Sequence, residues 1–295
     1  MVKLAQKSGA SERVLLSIFK NVFKMHREGG FDGTTMGFSF TILGSGSGGN
    51  CAYLESSSVR LLIDAGFSGR QITERLKGIG RDVSQIDAIL LTHEHADHIA
   101  GLKVLCQRHQ IPLFCNRLTR EALAVELPNF AGWKIFSTGE TFTLGDLVID
   151  SFSLPHDASD PVGFVIHAGP QTIAFITDLG YVTKLVLERV KGVTLMVLET
   201  NHDVNLLQND TIRPWSVKQR ILSRHGHLSN DAAADALPHL VSSSLERLYL
   251  AHLSRDCNNP ALAHRTIQKK LDHLSASHID VSVAEQHKPA PTVHW

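Results

Sequence analysis

No stretch of this sequence stays apolar for the eighteen or so residues that a membrane-crossing helix requires, so no span is expected. Cysteine is scarce. Cys51, Cys106, Cys115 and Cys257 are the four present, and none forms a Cys-x-x-Cys pair. With no signal peptide ahead of them they read as reduced thiols, and a cytoplasmic location is expected. Net charge is also lacking, because 29 Lys and Arg balance 29 Asp and Glu. A strongly basic total would point to nucleic acid, so neutrality is a mild objection to a nuclease while leaving room for a local basic groove. The Gly-rich segment Gly44-Ser-Gly-Ser-Gly-Gly-Asn50 is followed by neither a lysine nor a helix, which excludes a Walker or Rossmann loop. Internal repeats and low-complexity segments are missing as well.

What is abundant is histidine, seventeen in 295 residues. Three of them fall in Thr92-His93-Glu94-His95-Ala96-Asp97-His98, directly after the apolar run Ile86-Asp-Ala-Ile-Leu-Leu91. The run reads as a buried strand, and Ile99-Ala-Gly-Leu-Lys-Val-Leu-Cys106 reads as a helix. The polar residues therefore occupy a tight turn at the carboxyl end of a strand, where α/β proteins build sites. His93 and His95 can converge on one metal ion, and Asp97 and His98 on the next turn can serve a second. Imidazole nitrogen with carboxylate oxygen suits zinc, manganese or iron.

At 43% hydrophobic residues the chain can bury a full core. Residues 1–35 differ from the rest: Lys3, Lys7, Arg13, Lys20, Lys24 and Arg27 stand against Glu12 and Glu28, and Val14, Leu15, Ile18, Phe19, Val22 and Phe23 recur at helical spacing. A basic amphipathic extension is expected there, as a docking helix, an organelle presequence or an upstream extension of the reading frame, since Met36 stands just before the first expected strand. Residues 36–295 form the expected catalytic domain. Its strands are predicted at 38–43, 51–55, 59–64, 86–91, 112–115, 147–154, 162–167, 172–177, 194–199, 247–251 and 280–284. Helices are predicted near 69–78, 99–109, 118–126, 181–190, 214–224, 229–240 and 260–274, with Ser229 or Asn230 capping the helix that follows.

The His-x-His-x-Asp-His run after an apolar strand resembles the metallo-β-lactamase superfamily. The resemblance implies an α/β fold, a four-layer αββα sandwich of mixed sheets with outer helices, and three further ligands at strand ends. Phe152-Ser-Leu-Pro-His156, Thr172-Ile-Ala-Phe-Ile-Thr-Asp178 and Leu248-Tyr-Leu-Ala-His252 supply them. The implied ligands of two divalent ions, zinc or manganese, are His93, His95 and His156 on one, Asp97, His98 and His252 on the other, with Asp178 bridging.

Other polar segments follow predicted strands. Asp157 and the cluster Glu199-Thr-Asn-His202-Asp203 can hold a ligand ring from behind or simply shape loops. Arg224-His-Gly-His227-Leu-Ser229-Asn230 precedes a helix and resembles the His-Ser-Thr segment of tRNase Z-like enzymes and the Gly-His-Ala-Ser segment of RNase J-like ones. It offers a phosphate seat involving Ser229 and Asn230, with His227 as a general acid, or plain helix capping. Arg255, just past His252, can pair with phosphate.

Several phrases together are similar to the YycJ/WalJ-like metallo-hydrolases, covering 38–285: Gly-Ser-Gly-Ser-Gly-Gly-Asn, Leu-Ile-Asp64-Ala-Gly-Phe-Ser, Pro-His-Asp-Ala-Ser-Asp-Pro-Val-Gly, Ile-Thr-Asp-Leu-Gly-Tyr, Glu-Thr-Asn-His-Asp and Gly-His-Leu-Ser-Asn. That branch implies a dinuclear phosphodiesterase degrading DNA from 5′ to 3′, with RNA as a further substrate. A metal-bridging hydroxide would attack phosphorus, with Asp97 both holding metal and accepting a proton. Only about seventy residues separate Asp178 from His252, which excludes a large inserted cap and predicts an open cleft. The alternative is a small-molecule hydrolase of the same fold, such as a thioesterase, lactonase or cyclic phosphodiesterase.

Overall fold

Strands in this chain are apolar on both faces, and that pattern dictates a sheet buried on both sides. The computed structural model describes residues 37–295. In it β1 (Ser39–Gly44), β2 (Cys51–Glu55), β3 (Arg60–Ile63), β4 (Ala88–Leu90), β5 (Leu113–Asn116) and β6 (Trp133–Phe136) lie side by side, with β14 (Val293–His294) at the β1 edge. The second sheet runs β7 (Thr141–Leu144), β8 (Leu147–Ser153), β9 (Val162–Ala168), β10 (Gln171–Ile176), β11 (Leu195–Glu199), β12 (Arg247–Ala251) and β13 (Asp280–Val283). Each sheet is mixed. β1 to β3 are antiparallel and β3 to β6 parallel, whereas β7 to β10 are antiparallel and β10 to β13 parallel.

The helices are α1 (Gly69–Gly78), α2 (Ala96–Ile99), α3 (Arg117–Ala122), α4 (Lys184–Arg189), α5 (Val204–Asn209), α6 (Trp215–Ile221), α7 (Asn230–Leu240) and α8 (Pro260–His273). Side chains alternate across each strand, so the two-residue period sorts the core into layers. Leu61 and Ile63 join Phe164, Phe175, Val197 and Tyr249 between the sheets, while Leu62 faces outward onto Ile72 and Leu76 of α1. Ile173 and Phe175 point to that same centre; Ala174 and Ile176 face Leu237 of α7 and Ile267 of α8. The result is a four-layer αββα sandwich. Each fully buried leucine or isoleucine contributes about 2 kcal/mol of transfer free energy, so all layers matter to stability. Among the described residues no helix is long and apolar enough to cross a membrane.

Local chemistry sets the element ends. Ser68 caps α1 through a reciprocal capping box with Gln71, and Asn259 caps α8, whose first residue is Pro260. Three expectations need correction. The helix predicted over 99–109 is instead the short α2 followed by a π-helical segment, Lys103–Arg108, because α2 begins earlier, at Ala96, with His95 as its N-cap. Strands β6, β7 and β14 were not expected; all lie at sheet edges, where β6 exposes Lys134 and Ile135 and β7 alternates exposed with half-buried residues. The helix α5 was also not expected; its cap is Asp203, which accepts from the Leu206 amide. The expected amphipathic extension of residues 1–35 lies outside the described residues.

Candidate metal centre

The carboxyl ends of parallel strands from both sheets converge on one place. From the first sheet come Asp64, just past β3, and the turn from Thr92 to His98 after β4; from the second come Asp178, Glu199 and His252, at the ends of β10, β11 and β12. Asp64, Asp178 and His252 all adopt left-handed backbone, with φ of 59°, 59° and 58°. Side chains other than glycine avoid that region, and its use three times at one site marks strain held by the surrounding structure. Each chain reversal turns a polar side chain inward at the point where an apolar strand stops.

The ligand atoms of His93, His95 and His156 lie within 4.8 Å of one another, and so do those of Asp97, His98 and His252. Asp178 stands between the two groups. Its carboxylate is 3.1 Å from His98 Nε2, 3.5 Å from His252 Nε2 and 3.6 Å from His156 Nε2. His95 Nδ1 is 3.2 Å from His156 Nε2, and Asp97 Oδ2 is 3.1 Å from His252 Nε2. Two ligands about 2.1 Å from a shared tetrahedral ion lie about 3.4 Å apart, so these separations suit donors arranged around cations. His93 Nε2 and Asp178 Oδ2 are buried without a hydrogen-bond partner, which in a sealed interior is costly unless a cation takes the lone pair.

The outward nitrogens of the rings are held from behind. His98 Nδ1 donates to Asp64 Oδ2 at 2.8 Å, His156 Nδ1 to the Gly226 carbonyl at 2.9 Å, and His252 Nδ1 to Glu199 Oε1 at 2.8 Å. His93 Nδ1 lies 3.0 Å from the Thr92 hydroxyl. A carbonyl or carboxylate can only accept, so each such contact places the proton on Nδ1 and leaves the Nε2 lone pair facing the centre. The donor set and its backing fit divalent metal ions.

Electrostatics tie the groups together. Burial opposes charge on Asp178, but the His252 and His98 imidazoles overcome it and hold the carboxyl well below the usual range. Burial likewise works against charge on His98 and His252, and the surrounding carboxylates together outweigh it and raise both rings: Asp178 with Asp64 at His98, Asp178 with Asp97 and Glu199 at His252. His93 shows the opposite balance: burial and the neighbouring His98 push it well below an ordinary imidazole.

Glu199 is the hub behind the centre. It is wholly buried, accepts from His227 Nδ1 and His252 Nδ1 at 2.8 Å each through Oε1, and takes the Leu179 and Leu228 amides through Oε2. Burial pushes its carboxyl up, but His227 and His252 together more than offset this and the group falls to about 2. His227 itself is partly exposed, stacks on His252 with ring centres 5.2 Å apart, and is raised by Glu199 against the effect of burial.

The remaining sequence expectations are placed as follows. Asp157 pairs with Arg220 and lies 3.5 Å from His156 Nε2. His202 is buried beside Glu199, lowered by burial to about 4, with neither ring nitrogen hydrogen-bonded. Ser229 caps α7 by accepting from the Ala232 amide, and Asn230 is buried in a reciprocal pair with Asn258, so the structure does not bring Asn230 to the centre. Arg255 is exposed, three residues past His252. Sequence reasoning missed Asp64, Asn50 and Thr92 as supports: Asp64 accepts from both the Thr92 amide and hydroxyl, and Asn50 Nδ2 reaches Asp97 and His98. A signal for Asp64 existed, since it ends the apolar run Leu61-Leu-Ile much as His252 ends its own.

The β-lactamase superfamily domain model matches residues 59–253. The chain is 38% identical over 239 residues to the exodeoxyribonuclease YycJ of Bacillus anthracis, covering 80% of this chain and 90% of the relative. It is 40% identical over 242 residues to the exodeoxyribonuclease WalJ of Streptococcus pneumoniae, covering 80% and 89%. Among solved structures, the metallo-β-lactamase fold protein YhfI from Bacillus subtilis superposes with a TM-score of 0.66 at 17% identity, over 88% of this chain and 100% of that one. Human tRNase Z, short form, gives 0.60 at 17% identity, over 86% and 98%. At those identities the structures speak to the fold alone. The sequence relatives and the domain match go further: this chain is a hydrolase of the metallo-β-lactamase superfamily and belongs to its YycJ and WalJ exodeoxyribonuclease branch.

Proposed function

We propose that this protein is a dinuclear metal-dependent phosphodiesterase that degrades DNA from the 5′ end. The observation that carries this reading is the pair of three-ligand clusters joined by Asp178 and flanked by the His227–Glu199 pair. His93, His95 and His156 would hold one ion, Asp97, His98 and His252 the other, and Asp178 both; zinc and manganese each suit these donors. Bound ions supply an activated water and neutralise charge on a phosphodiester. Asp97, held by His252 and Asn50, is placed to accept a proton from the attacking water. His227, whose basicity Glu199 raises against burial, would hand a proton to the departing oxygen or steady charge on phosphorus. Four free and buried cysteines suit the reducing cytoplasm, where such an enzyme would meet DNA.

The test is hydrolysis of end-labelled duplex DNA after chelation and restoration of manganese or zinc, with a His93→Ala, Asp97→Ala double variant alongside. Stepwise loss from 5′ ends that needs metal and disappears in the variant is expected. Intact DNA in both metals, from a protein that still binds two ions, would move the assignment to a small-molecule hydrolase of this fold. RNA in a parallel lane decides whether the sugar matters.

A further inference from the structure

The loop Gly44–Asn50, between β1 and β2, touches Asp97, His98 and His252, the three residues assigned to one ion alone. Asn50 Nδ2 lies 3.4 Å from Asp97 Oδ2 and 3.2 Å from His98 Nε2, and the Asn50 amide donates to the Asp97 carbonyl at 2.8 Å. Ser45 Oγ accepts the His252 amide at 2.8 Å and donates to Asn50 Oδ1 at 2.8 Å. Among the described residues, no hydrogen bond from this loop reaches His93, His95 or His156, whose partners lie elsewhere.

A single side chain clasps the loop from outside. The Gly48 amide donates to Gln286 Oε1 at 2.7 Å, and Gln286 Nε2 donates to the Gly49 carbonyl at 2.9 Å. The clasp therefore uses both halves of the carboxamide, and that fixes its orientation. Gln286 lies where the chain crosses from β13 in the second sheet to β14 in the first. This crossing is itself moored. Arg75 of α1, its guanidinium 3.7 Å from the centre of the Phe67 ring, donates to the Gln286 carbonyl at 3.0 Å and to the Leu43 carbonyl at 2.6 Å. The Ser45 amide donates to the Glu285 carbonyl at 3.1 Å. Glycine is required under the clasp: a β-carbon on Gly46, whose φ is 150°, would lie 2.7 Å from Gln286 Oε1, and one on Gly49, whose φ is 149°, 2.5 Å from the Gly66 carbonyl oxygen.

We propose that Gln286 is a positioning residue for the ion that Asp97, His98 and His252 would hold, acting through Gly48 and Gly49 on Asn50. The inference rests on the two-ion reading above and deepens it by giving one ion a support that the other lacks. Ligands already held in place lose little freedom when an ion arrives, and groups behind them tune affinity. Releasing the clasp loosens Asn50, so the ion must order Asp97 and His98 itself and binds more weakly. His93 and His156 are backed by Thr92 and Gly226, away from the loop, and the ion they share keeps its affinity.

The experiment titrates zinc into metal-free full-length protein in competition with a chromophoric chelator, and thermal unfolding of the same samples reads the fold. It compares wild type, Gln286→Met, Gln286→Glu, Asn50→Ala and the double variant Asn50→Ala, Gln286→Met. Asp146→Asn, in the β7–β8 turn, serves as a control for lost stability. In Gln286→Met one of the two affinities is expected to fall about tenfold, and the other to change by less than about twofold. Gln286→Glu keeps the bond to the Gly48 amide, loses the one to the Gly49 carbonyl, and should fall between. In the Asn50→Ala background Gln286→Met should add nothing, because the path is already cut. Two unchanged affinities in Gln286→Met, or an equal fall in both, overturns the proposal. So does the full loss retained in the Asn50→Ala background, or the same selective fall in Asp146→Asn. A wild-type protein that takes up a single ion rejects the two-ion reading, and the proposal with it.

Discussion

Asp64 accepts the Nδ1 hydrogen of His98 at 2.8 Å, with both side chains wholly withdrawn from solvent. The carboxylate is doubly committed, because Oδ1 also takes the Thr92 amide, so the strand end β3 and the turn after β4 are locked as one piece. In Asp64→Asn the amide can accept from only one of these donors, and its NH₂ must face the other. Asparagine tolerates left-handed backbone, so the fold should persist. Metal affinity is expected to fall by about 10- to 100-fold, measured by competition with a chromophoric chelator. Unchanged affinity would mean that Asp64 supports only the backbone.

Glu199 makes the parallel case behind the other ring. It accepts four hydrogen bonds, two from imidazoles and two from amides, and remains ionised down to about pH 2. Glu199→Gln turns an NH₂ toward donors and removes the charge that raises His227. A loss of about 10²-fold or more in kcat on DNA is expected, with KM little changed. A change confined to KM would instead place Glu199 in substrate binding.

Gly66 is where the two chain reversals touch. A β-carbon there would stand 1.7 Å from the Asp97 carbonyl oxygen and 2.5 Å from the Asn50 amide, both backbone atoms that no side-chain rotation can clear. Gly66→Ala should therefore destabilise the protein by about 3 kcal/mol and lower metal stoichiometry, read by thermal unfolding and elemental analysis. Wild-type stability in this variant would show that the Asp97 turn yields freely.

Asp146 ties the two sheets at a distance from the centre. Its carboxylate accepts from the hydroxyls of Ser56, Ser57 and Ser58, so the β7–β8 turn is fastened to the β2–β3 turn. Burial raises the carboxyl, and the serine hydroxyls outweigh it and bring the group below its ordinary value of 3.8. A depressed folded value means the stabilisation is present above the unfolded pKa and is lost as pH falls through the folded one. Asp146→Asn should cost about 1 kcal/mol at neutral pH and progressively less in acid below the ordinary carboxylate range, measured by denaturant unfolding across pH. A penalty independent of pH would show that hydrogen-bond geometry, and not charge, holds this turn.

The sequence was readable where an apolar run stops abruptly at a polar residue. β2 and β12 occupy the residues expected of them, and so does α1 from Gly69 to Gly78, because capping and periodicity agree there. Legibility failed at edges. Trp133–Phe136 and Thr141–Leu144 carry mixed burial, since only one side of an edge strand is covered, and the alternation that betrays a strand is diluted by exposed Lys134 and Ile135. The segment after His98 failed for a different reason: its apolar residues suit a helix, but the backbone starts that helix early, at Ala96 after the N-cap His95, and widens to a π turn over Lys103–Arg108.

By itself the sequence determined the alternation of strands and helices and the order of the polar residues along it, because both follow from local periodicity and from what terminates each strand, while the αββα layering was implied by the family resemblance. Tertiary structure alone decided which of those residues share a space. From the sequence Ser229 and Asn230 are equally phosphate contacts or helix caps; in the fold Ser229 caps α7 and Asn230 pairs with Asn258, 28 residues away. Asp64 looks like an ordinary strand end, yet it meets His98, 34 residues on. Asp64 and His98 are brought together by the parallel pairing of β3 with β4, and Asn230 and Asn258 by the packing of α7 beside α8, and no local pattern encodes either distance.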